Sequence, residues 1–367
     1  MQERTRGWLV RGTVIGVALA ALAARLPPRL VDRVYWNGLY LRFQPRVTGL
    51  SNLTSLALSD IALVLIVGWW VGALANDLRR LRWPRAVGRI ALRTATLAAA
   101  AYLLFLALWG LNYRRVPLEE RLDVDASRVT STSVGAMLAV AVDRVNTLYD
   151  AAHASALAPP APGGVLADAM GRIELGLGAT RAARAGRLKT TILDWYFRRA
   201  GVQGMTDPYF LETIVPGDLL AIERPFVAAH EWAHLAGYAD EGDANYVGWL
   251  ACLDASPADQ YSGWLFLYEE LVAAASADAR EMARSKLAPG PRADLAAIAR
   301  RVQRDVNVAV STAGWQAYDR YLKMNQVTAG AASYSHVVTL VVGSRGGPRW
   351  DALGSRGSDR ARPTTRE

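Results

Sequence analysis

The stretch His230-Glu231-Trp232-Ala233-His234 decides how the rest of the chain is interpreted. In a helix, residues four positions apart lie on the same face, so both imidazoles can reach one metal ion. Glu231 lies roughly 100° around the helix from His230, where its carboxylate can act on a water at an open coordination position. The spacing predicts an H-E-x-x-H helix that binds Zn²⁺ through His230 and His234 and uses Glu231 as a general base.

The small number of histidines gives this pattern weight. Of the four in the chain (His153, His230, His234 and His336), two fall at this spacing around a glutamate, and uncharged residues fill the other positions of the motif. The alternative is that His230 and His234 are surface histidines with Glu231 as a solvated neighbour. The acidic residues that follow directly favour the metal site.

A third zinc ligand is expected among the acids Asp240, Glu241 and Asp243. Asp240 occupies the position of the third ligand in sites of the form H-E-x-x-H-x-x-G-x-x-D. Glu241 instead fits the pattern E-x-x-A-[DN] of gluzincin-like membrane peptidases, in which Asn245 would support the ligand from the next helical turn. We prefer Glu241 and keep the other two acids as alternatives. An acid that is not a ligand can cap the helix, as Asp240 would.

The composition favours membrane segments joined to a water-soluble domain. Hydrophobic residues make up 52% of the chain, while charged residues still supply 20%. The net charge of +9 comes almost wholly from arginines, many of which flank apolar runs. Anionic lipid head groups explain such arginines better than nucleic acid does. The lipid bilayer is therefore the expected partner. The single Cys252 excludes an intrachain disulfide and a cysteine-based zinc site.

Apolar stretches near the start of the chain predict a membrane domain. It covers residues 1–112, with transmembrane helices at about 8–24, 56–75 and 94–111. Residues 1–24 also fit a signal peptide, but no clean cleavage site follows them. Residues 25–55, with aromatic side chains among arginines, are expected to form an interfacial loop.

The arginine-rich run of residues 77–93 predicts the orientation of the chain. A short loop so rich in arginine between two spans lies on the cytoplasmic side of a membrane. The third span then leads to the opposite side. We therefore predict a multi-pass membrane protein whose residues 113–342 form an extracytoplasmic domain.

The residue pattern predicts a mainly α fold, in which the N-terminal transmembrane helices precede a mostly helical, zincin-like domain with a small β element. Residues 201–215 are expected to supply the β element, either as an edge strand that binds an extended peptide or as a plain surface hairpin. Residues 292–324 predict one long helix or two, interrupted near Gly314. Residues 343–367, rich in glycine, arginine and serine, predict a disordered basic tail.

A donor for the oxyanion of the transition state is also needed. Tyr334, His336 and Lys323, near the end of the chain, are candidates by residue type alone. The alternative is that the tyrosine is packed in the fold and the histidine lies on the surface.

Several segments resemble a bacterial family of multi-pass membrane proteins of unknown function that carry an H-E-x-x-H domain. The resemblance covers most of the chain and rests on residues 109–115 (WGLNYRR), 204–215, 225–245, 318–325 (YDRYLKMN) and 333–334. The acidic stretch of that family resembles E-x-E-A-N, and Asp243 stands here in place of its second glutamate. This departure weakens Asp243 as a ligand, because its side chain is shorter. The resemblance implies a gluzincin-like zinc-peptidase site in the bacterial cell membrane and brings no established substrate.

The expected function is that of a membrane-anchored zinc metallopeptidase. Zinc held by His230, His234 and Glu241 would activate a water, and Glu231 would take its proton. The alternative is a non-catalytic membrane protein with a structural zinc site, or an envelope scaffold that has lost activity. A transporter is disfavoured because the predicted spans contain one acid, Asp60, near a helix end.

Overall fold

The computed structural model describes residues 2–154, 159–325, 327 and 336–344, which fold mainly into helices. The α-helices are α1 (Gln2–Ala23), α2 (Pro28–Leu30), α3 (Leu41–Ser51), α4 (Leu58–Arg80), α5 (Trp83–Leu108), α6 (Leu118–Arg121), α7 (Ser131–His153), α8 (Val165–Gly176), α9 (Asp194–Ala200), α10 (Arg224–Leu235), α11 (Glu241–Leu253), α12 (Pro257–Ala274), α13 (Ala277–Lys286), α14 (Pro289–Asp305), α15 (Val308–Met324) and α16 (His336–Gly343). The strands are β1 (Leu188–Lys189), β2 (Met205–Asp207) and β3 (Glu212–Ile214). The predicted mainly α fold with a small β element is confirmed.

Two helices, α4 and α5, are each long and apolar enough to cross a membrane. A third span arises only if Gly7–Ala23 and Pro28–Ser51, which meet at a bend of 114°, are taken as one. Helix α5 begins at Trp83, well before the predicted start at residue 94, because Pro84 lies in its first turn and favours helix initiation. Only residues 81 and 82 separate α4 from α5.

Side-chain contacts hold α4 and α5 together at the end where they join. Asp77 of α4 is buried and forms ion pairs with Arg93 at 3.0 Å and Arg89 at 3.4 Å, both from α5. The indole N–H of Trp70 donates to the hydroxyl of Thr94 at 3.0 Å. The arginine-rich run therefore lies largely on the paired helix ends and not in a loop.

The expected loop over residues 25–55 is wrong for most of that stretch. It contains α2, a ten-residue π-helix (Val31–Tyr40) and α3. Trp36 and Tyr40, which were expected to anchor an interfacial loop, have no exposed surface. The reason is that their polar atoms donate to backbone carbonyls at the C-terminal end of α10, 195 to 200 residues away in sequence.

The small sheet has the strand order β1-β3-β2. Strand β3 pairs in parallel with β1 and antiparallel with β2, with Thr206 opposite Thr213. The predicted β element over residues 201–215 is confirmed as β2 and β3. Strand β2 lies at the edge of the sheet, beside α10.

A buried charge pair joins this sheet to the start of α4. The Nζ of Lys189 donates to Oε2 of Glu212 at hydrogen-bond distance and to the Oγ of Ser51 at 2.8 Å, and both charged side chains are fully buried. Glu212 also accepts the hydroxyl of Ser51 at 3.1 Å and the first backbone N–H groups of α4, from Leu58 at 3.0 Å and Ser59 at 2.9 Å. A carboxylate at a helix N-terminus satisfies donors that have no partner within the helix.

The core of the remaining chain is built from α7, α8, α10, α11 and α12. Helix α11 can lie close against α10 because it carries Gly248, where a Cβ would come within 2.9 Å of the backbone nitrogen of His230. Residues 292–324, predicted as one long helix or two, belong to two helices, and the break falls at residues 306–307, not near Gly314. The side chain of Asn307 caps α15 and its backbone N–H donates to the carbonyl of Arg199, which fixes the break.

The predicted boundary at residue 112 stays a prediction. Buried side chains before and after it, such as Trp36, Trp109 and Trp232, belong to one hydrophobic cluster. The predicted tail lies, from residue 345 onward, outside the described residues.

The carboxyl group of Glu174 on α8 makes stability depend on pH. It is 1% exposed, and its Oε2 accepts the backbone N–H of Ala183 at 2.6 Å. Burial raises its pKa to about 8, although the Ala183 hydrogen bond offsets part of this shift. The folded state therefore holds a proton that the unfolded state releases above a pKa near 4.5, so stability falls as pH rises through this window.

We expect Glu174→Gln to flatten this pH dependence, because glutamine keeps the acceptor oxygen and carries no titratable proton. Thermal unfolding of both proteins in detergent, followed by tryptophan fluorescence between pH 5 and pH 9, measures it. Between pH 5 and pH 9, the free energy of unfolding of the variant should rise relative to that of the wild type by on the order of a few kcal/mol. Parallel curves for the two proteins would contradict the assignment.

Candidate metal centre

Helix α10 carries both histidines of the motif. Pro225 lies in its first turn, where a missing N–H costs nothing, and His230 and His234 follow on one face with ring centroids 4.7 Å apart. Each ring directs Nε2 at the same oxygen, Oε2 of Glu241, at 3.3 Å from His230 and 3.4 Å from His234. After α10 the chain turns back through Gly237 at φ 91°, as the sequence predicts.

The cap of α11 places Glu241 at this point. Asp240 is the N-cap residue, and its Oδ1 accepts the backbone N–H groups of Gly242 at 2.9 Å and Asp243 at 3.3 Å. Asp243 is directed elsewhere, since its Oδ2 accepts the N–H of Leu118 at 3.2 Å. Of the three acids that the sequence left open, Glu241 is the one whose carboxylate meets both imidazoles.

Outer contacts orient two of these three side chains. The Nδ1 of His234 lies 2.7 Å from the carbonyl oxygen of Tyr238 and donates to it, so Nε2 is the ring nitrogen that faces Glu241 and would bind a metal once it loses its proton. The hydroxyl of Tyr318, on α15, donates a short hydrogen bond to Oε1 of Glu241. Glu241 Oε2 and His230 Nδ1, both buried, have no hydrogen-bond partner among the described residues.

Opposite charges balance in this buried cluster. Burial opposes the charge on His234, but the Glu241 carboxylate outweighs that effect and raises the pKa of His234 to about 9. Burial likewise opposes the charge on Glu241, and the two histidines more than offset it, so the pKa of this carboxyl lies well below its usual range. The site is built to hold an anionic carboxylate beside positive charge.

Glu231 points from α10 toward the sheet. It is 3% exposed, and its Oε2 accepts the hydroxyl of Thr206, on β2, at 2.8 Å. The backbone at Gly204 lies so close that a Cβ there would come within 2.3 Å of Oε1 of Glu231. Burial raises the pKa of Glu231, while the nearby histidines and Thr206 lower it. The carboxylate is thus fixed between the edge of the sheet and the histidines.

The C-terminal end of α10 is satisfied by side chains from far earlier in the chain. The last carbonyls of a helix have no partner within it and need donors when they are buried. Three consecutive carbonyls here accept aromatic donors, which are the Nε1 of Trp109 on His234 at 2.8 Å, the hydroxyl of Tyr40 on Leu235 at 2.6 Å and the Nε1 of Trp36 on Ala236 at 2.7 Å. Position 109 directly follows α5, and positions 36 and 40 lie in the π-helix.

Two of the side chains proposed from sequence as oxyanion donors, Lys323 and His336, contact acids other than Glu241 in the described part of the chain. Lys323 is 55% exposed and pairs with Asp319 at 2.7 Å. His336 lies 3.3 Å from Glu119, and with Asp240 and Asp243 it forms a second group of possible ligand atoms within 4.8 Å of one another. Tyr334 lies outside the described residues.

Sequence reasoning missed Tyr318. The segment 318–325 contributed to the family resemblance without a role, and a tyrosine 77 residues after Glu241 gives no spacing signal. Thr206 was likewise missed, although it lies within the predicted β element. Asn245, expected to support the third ligand, is buried on α11 one turn after Glu241.

The fold and the site define a mainly helical protein with helices long and apolar enough to span a membrane and a buried His-His-Glu cluster on two adjacent helices. Residues 35–342 match the model of the family described as "Protein of unknown function (DUF3810)", and the chain belongs to this family. The matched region includes α4, α5 and every residue of the cluster. No curated protein and no solved structure matches the chain.

Proposed function

We propose that this protein is a membrane-anchored zinc metallopeptidase whose metal is held by His230, His234 and Glu241. The observation that carries the proposal is the spacing of the three ligand atoms. Oε2 of Glu241 lies 3.3 Å and 3.4 Å from the two Nε2 atoms, and all three lie within 4.8 Å of one another.

These distances fit a tetrahedral metal site better than a hydrogen-bonded pair. With metal–ligand bonds of about 2.0 to 2.1 Å, two ligands of a tetrahedral zinc are about 3.3 to 3.4 Å apart. A charge-assisted hydrogen bond would bring nitrogen and oxygen to about 2.7 to 2.9 Å. The buried Oε2 of Glu241, which makes no hydrogen bond among the described residues, is the atom that a metal would satisfy.

The three ligands leave one position open, which is the arrangement of catalytic zinc sites. Zinc bound there would lower the pKa of a water and polarise the carbonyl of the substrate. Glu231, held by Thr206, would accept the proton of the attacking water and pass it to the leaving amine. Its burial between the sheet and the histidines supports this role, since an acid–base group works best when its pKa is raised toward neutrality.

The neighbouring strand supports a peptide as the substrate. Strand β2 is at the edge of the sheet, and its residue Thr206 binds Glu231. An extended peptide that pairs with the free edge of a sheet is held through its own backbone, independently of its side chains. A peptide bond bound along β2 would therefore pass beside Glu231.

A structural zinc site is the second candidate, and the depth of the cluster favours it. His234 and Glu241 are 7% and 2% exposed, and the hydroxyl of Tyr318 lies on the same carboxylate. Structural sites are closed, whereas a catalytic site must admit a substrate. The two candidates differ in the consequence of changing Glu231.

We further propose that α1, α4 and α5 cross the membrane and that the metal centre lies outside the cytoplasm. The start of α4 and the end of α5 both contact the domain that carries the site, through Ser59 and Trp109. The joined ends of these helices, rich in arginine, therefore point away from the site by roughly 34 Å, the length of a 23-residue helix. Positive charge at that end supports a cytoplasmic location for it.

Exchange of Glu231 for glutamine should leave zinc bound and lower peptide hydrolysis by about 100-fold or more, the usual contribution of a general base. Glu241→Gln should instead lose the zinc. Metal content by mass spectrometry and cleavage of a fluorogenic peptide library measure the two effects.

Glu269→Gln, an exposed exchange on α12, is the matched control. Full turnover by the Glu231 variant would refute the general base, and bound zinc without cleavage by the wild type would favour the structural site.

Tyr318→Phe should weaken zinc binding about 10-fold to 100-fold, because it removes the donor that orients the carboxylate of Glu241 while keeping the ring. Competition with a fluorescent chelator measures the affinity. Tyr196→Phe is the control, since it removes a hydroxyl that lies against α15 at Gly314. Equal affinities for the wild type and the Tyr318 variant would show that this hydrogen bond does not support the metal.

Orientation can be tested with introduced thiols, because the single Cys252 is fully buried and should stay unlabelled in the native protein. Ser285→Cys, on the exposed side of α13, should react with a membrane-impermeant maleimide in right-side-out membrane vesicles. Trp83→Cys, at a position 71% exposed where α5 begins, should react only after permeabilisation. The reverse pattern would place the metal centre in the cytoplasm.

A further inference from the structure

We propose that the substrates of this site are polypeptide segments adjoining a membrane anchor, so that the bond to be cleaved lies within a few residues of the bilayer surface. This inference rests on the proposed peptidase function and specifies its substrate class. It follows from the contacts that set the distance between the metal cluster and the ends of the two apolar helices.

The first contact joins a metal ligand to the residue that follows a span. Helix α5 ends at Leu108, and the indole of the next residue, Trp109, donates to the carbonyl of His234 at 2.8 Å. The same indole stands edge-on to the imidazole of His234, with ring centroids 6.3 Å apart. Trp109 is buried in the protein, and as the residue directly after an apolar span it lies at the level of the lipid head groups. The ligand it contacts is therefore within roughly 10 Å of the hydrocarbon boundary.

Further contacts show that elements beside the site reach down along α5. The hydroxyl of Tyr209, in the turn after β2, donates to the carbonyl of Ala101 at 3.4 Å, about two turns before the helix ends. The ring of Tyr321, on α15, packs against Phe105 with centroids 6.0 Å apart. Tyr318, the residue bound to Glu241, stacks on Tyr321. Among the described residues, the site therefore contacts the end of the span directly.

The start of α4 is fixed to the same region. Asp60 of α4 accepts the hydroxyl of Thr191 at 2.6 Å and the backbone N–H of Ile192 at 2.9 Å. The carboxylate of Glu212, which binds the first N–H groups of α4, belongs to a strand paired with β2, and β2 contacts Glu231. Two strands, β3 and β2, therefore connect the start of α4 to Glu231, the candidate general base.

The surface around this junction is apolar. Large hydrophobic side chains just before α4 and around α9 are more than half exposed, namely Leu53, Leu56, Ile192 and Trp195, at 81%, 64%, 58% and 57%. Residue 192 binds Asp60, so this surface lies where α4 would enter the bilayer. Exposed apolar patches of this kind mark contact with a membrane or a partner, and lipid is the occupant that the adjoining span favours.

The apolar surface continues toward the metal ligands. Helix α15 packs on α9 and presents Val308 and Trp315, 79% and 40% exposed, on its outer side. The ring of Trp315 contacts that of Tyr318, which binds Glu241. A polypeptide that approaches along this surface arrives from the bilayer. An extended segment covers 10 Å in about three residues, so a bond bound at the site would lie close to the anchor of its own chain.

The experiment compares anchored and free substrates of one sequence. The full-length protein, loaded with zinc, is reconstituted into phosphatidylcholine–phosphatidylglycerol vesicles with reporters that carry a randomised eight-residue segment. The segment is joined to a single transmembrane helix through 4 or 30 Gly/Ser residues, or has no anchor. Released reporter is quantified and cleavage positions are read by mass spectrometry. The 30-residue reporter is the essential control, because anchoring alone raises the local concentration.

We expect the reporter with the short spacer to be cleaved about tenfold faster than the one with the long spacer, beyond the modest effect of linker length on local concentration. Glu231→Gln should cleave neither. Equal rates for both spacers, or equal rates for anchored and free reporters, would overturn the inference and leave the peptidase standing. Failure to cleave any reporter, anchored or free, would overturn the peptidase itself.

Discussion

The capping of helix α10 by aromatic side chains is the interaction on which the site depends. A helix that ends inside a protein leaves its last carbonyls without partners, and each buried carbonyl left unpaired costs about 1 to 3 kcal/mol. Tyr40 and Trp36 donate to the carbonyls of Leu235 and Ala236, and Trp109 donates to that of His234, which also accepts the backbone N–H of Gly237. One of these carbonyls belongs to His234 itself, so the same hydrogen bond ends the helix and holds a candidate ligand in place.

The same contacts explain why the membrane helices and the site form one structure. The indoles and the phenol that cap α10 come from the π-helix and from the end of α5. On the other side of the site, the buried Lys189–Glu212 pair and Asp60 tie the sheet to the start of α4. A fully buried ion pair contributes little net stability, but removing one partner leaves an unpaired charge at high cost. The pair fixes β1 against β3, and the contacts of Glu212 with the first N–H groups of α4 fix β3 against that helix.

The sequence predicted the parts of the site that are close together in the chain. His230, Glu231 and His234 follow one helical period, Glu241 begins the next helix, and Gly237 turns the chain between them. The choice among the three acids stayed open in the sequence, where the pattern E-x-x-A-[DN] favoured Glu241 but each acid was within reach. It depends on the cap, since Asp240 accepts the first N–H groups of α11 and thereby turns Glu241 toward the histidines.

The supporting residues could not be predicted, because their partners are distant in sequence. Trp36 and Tyr40 lie among arginines, and this composition is typical of an interfacial loop; only the fold shows that they are buried against α10. Tyr318 reaches Glu241 from α15, whose start is set by Asn307 bonding to Arg199 on another helix. The candidate ligands thus lie close together in the sequence, while the groups that contact them come from both ends of the chain. A site of this kind exists only when the membrane-proximal segments, the sheet and α15 have all assembled around α10.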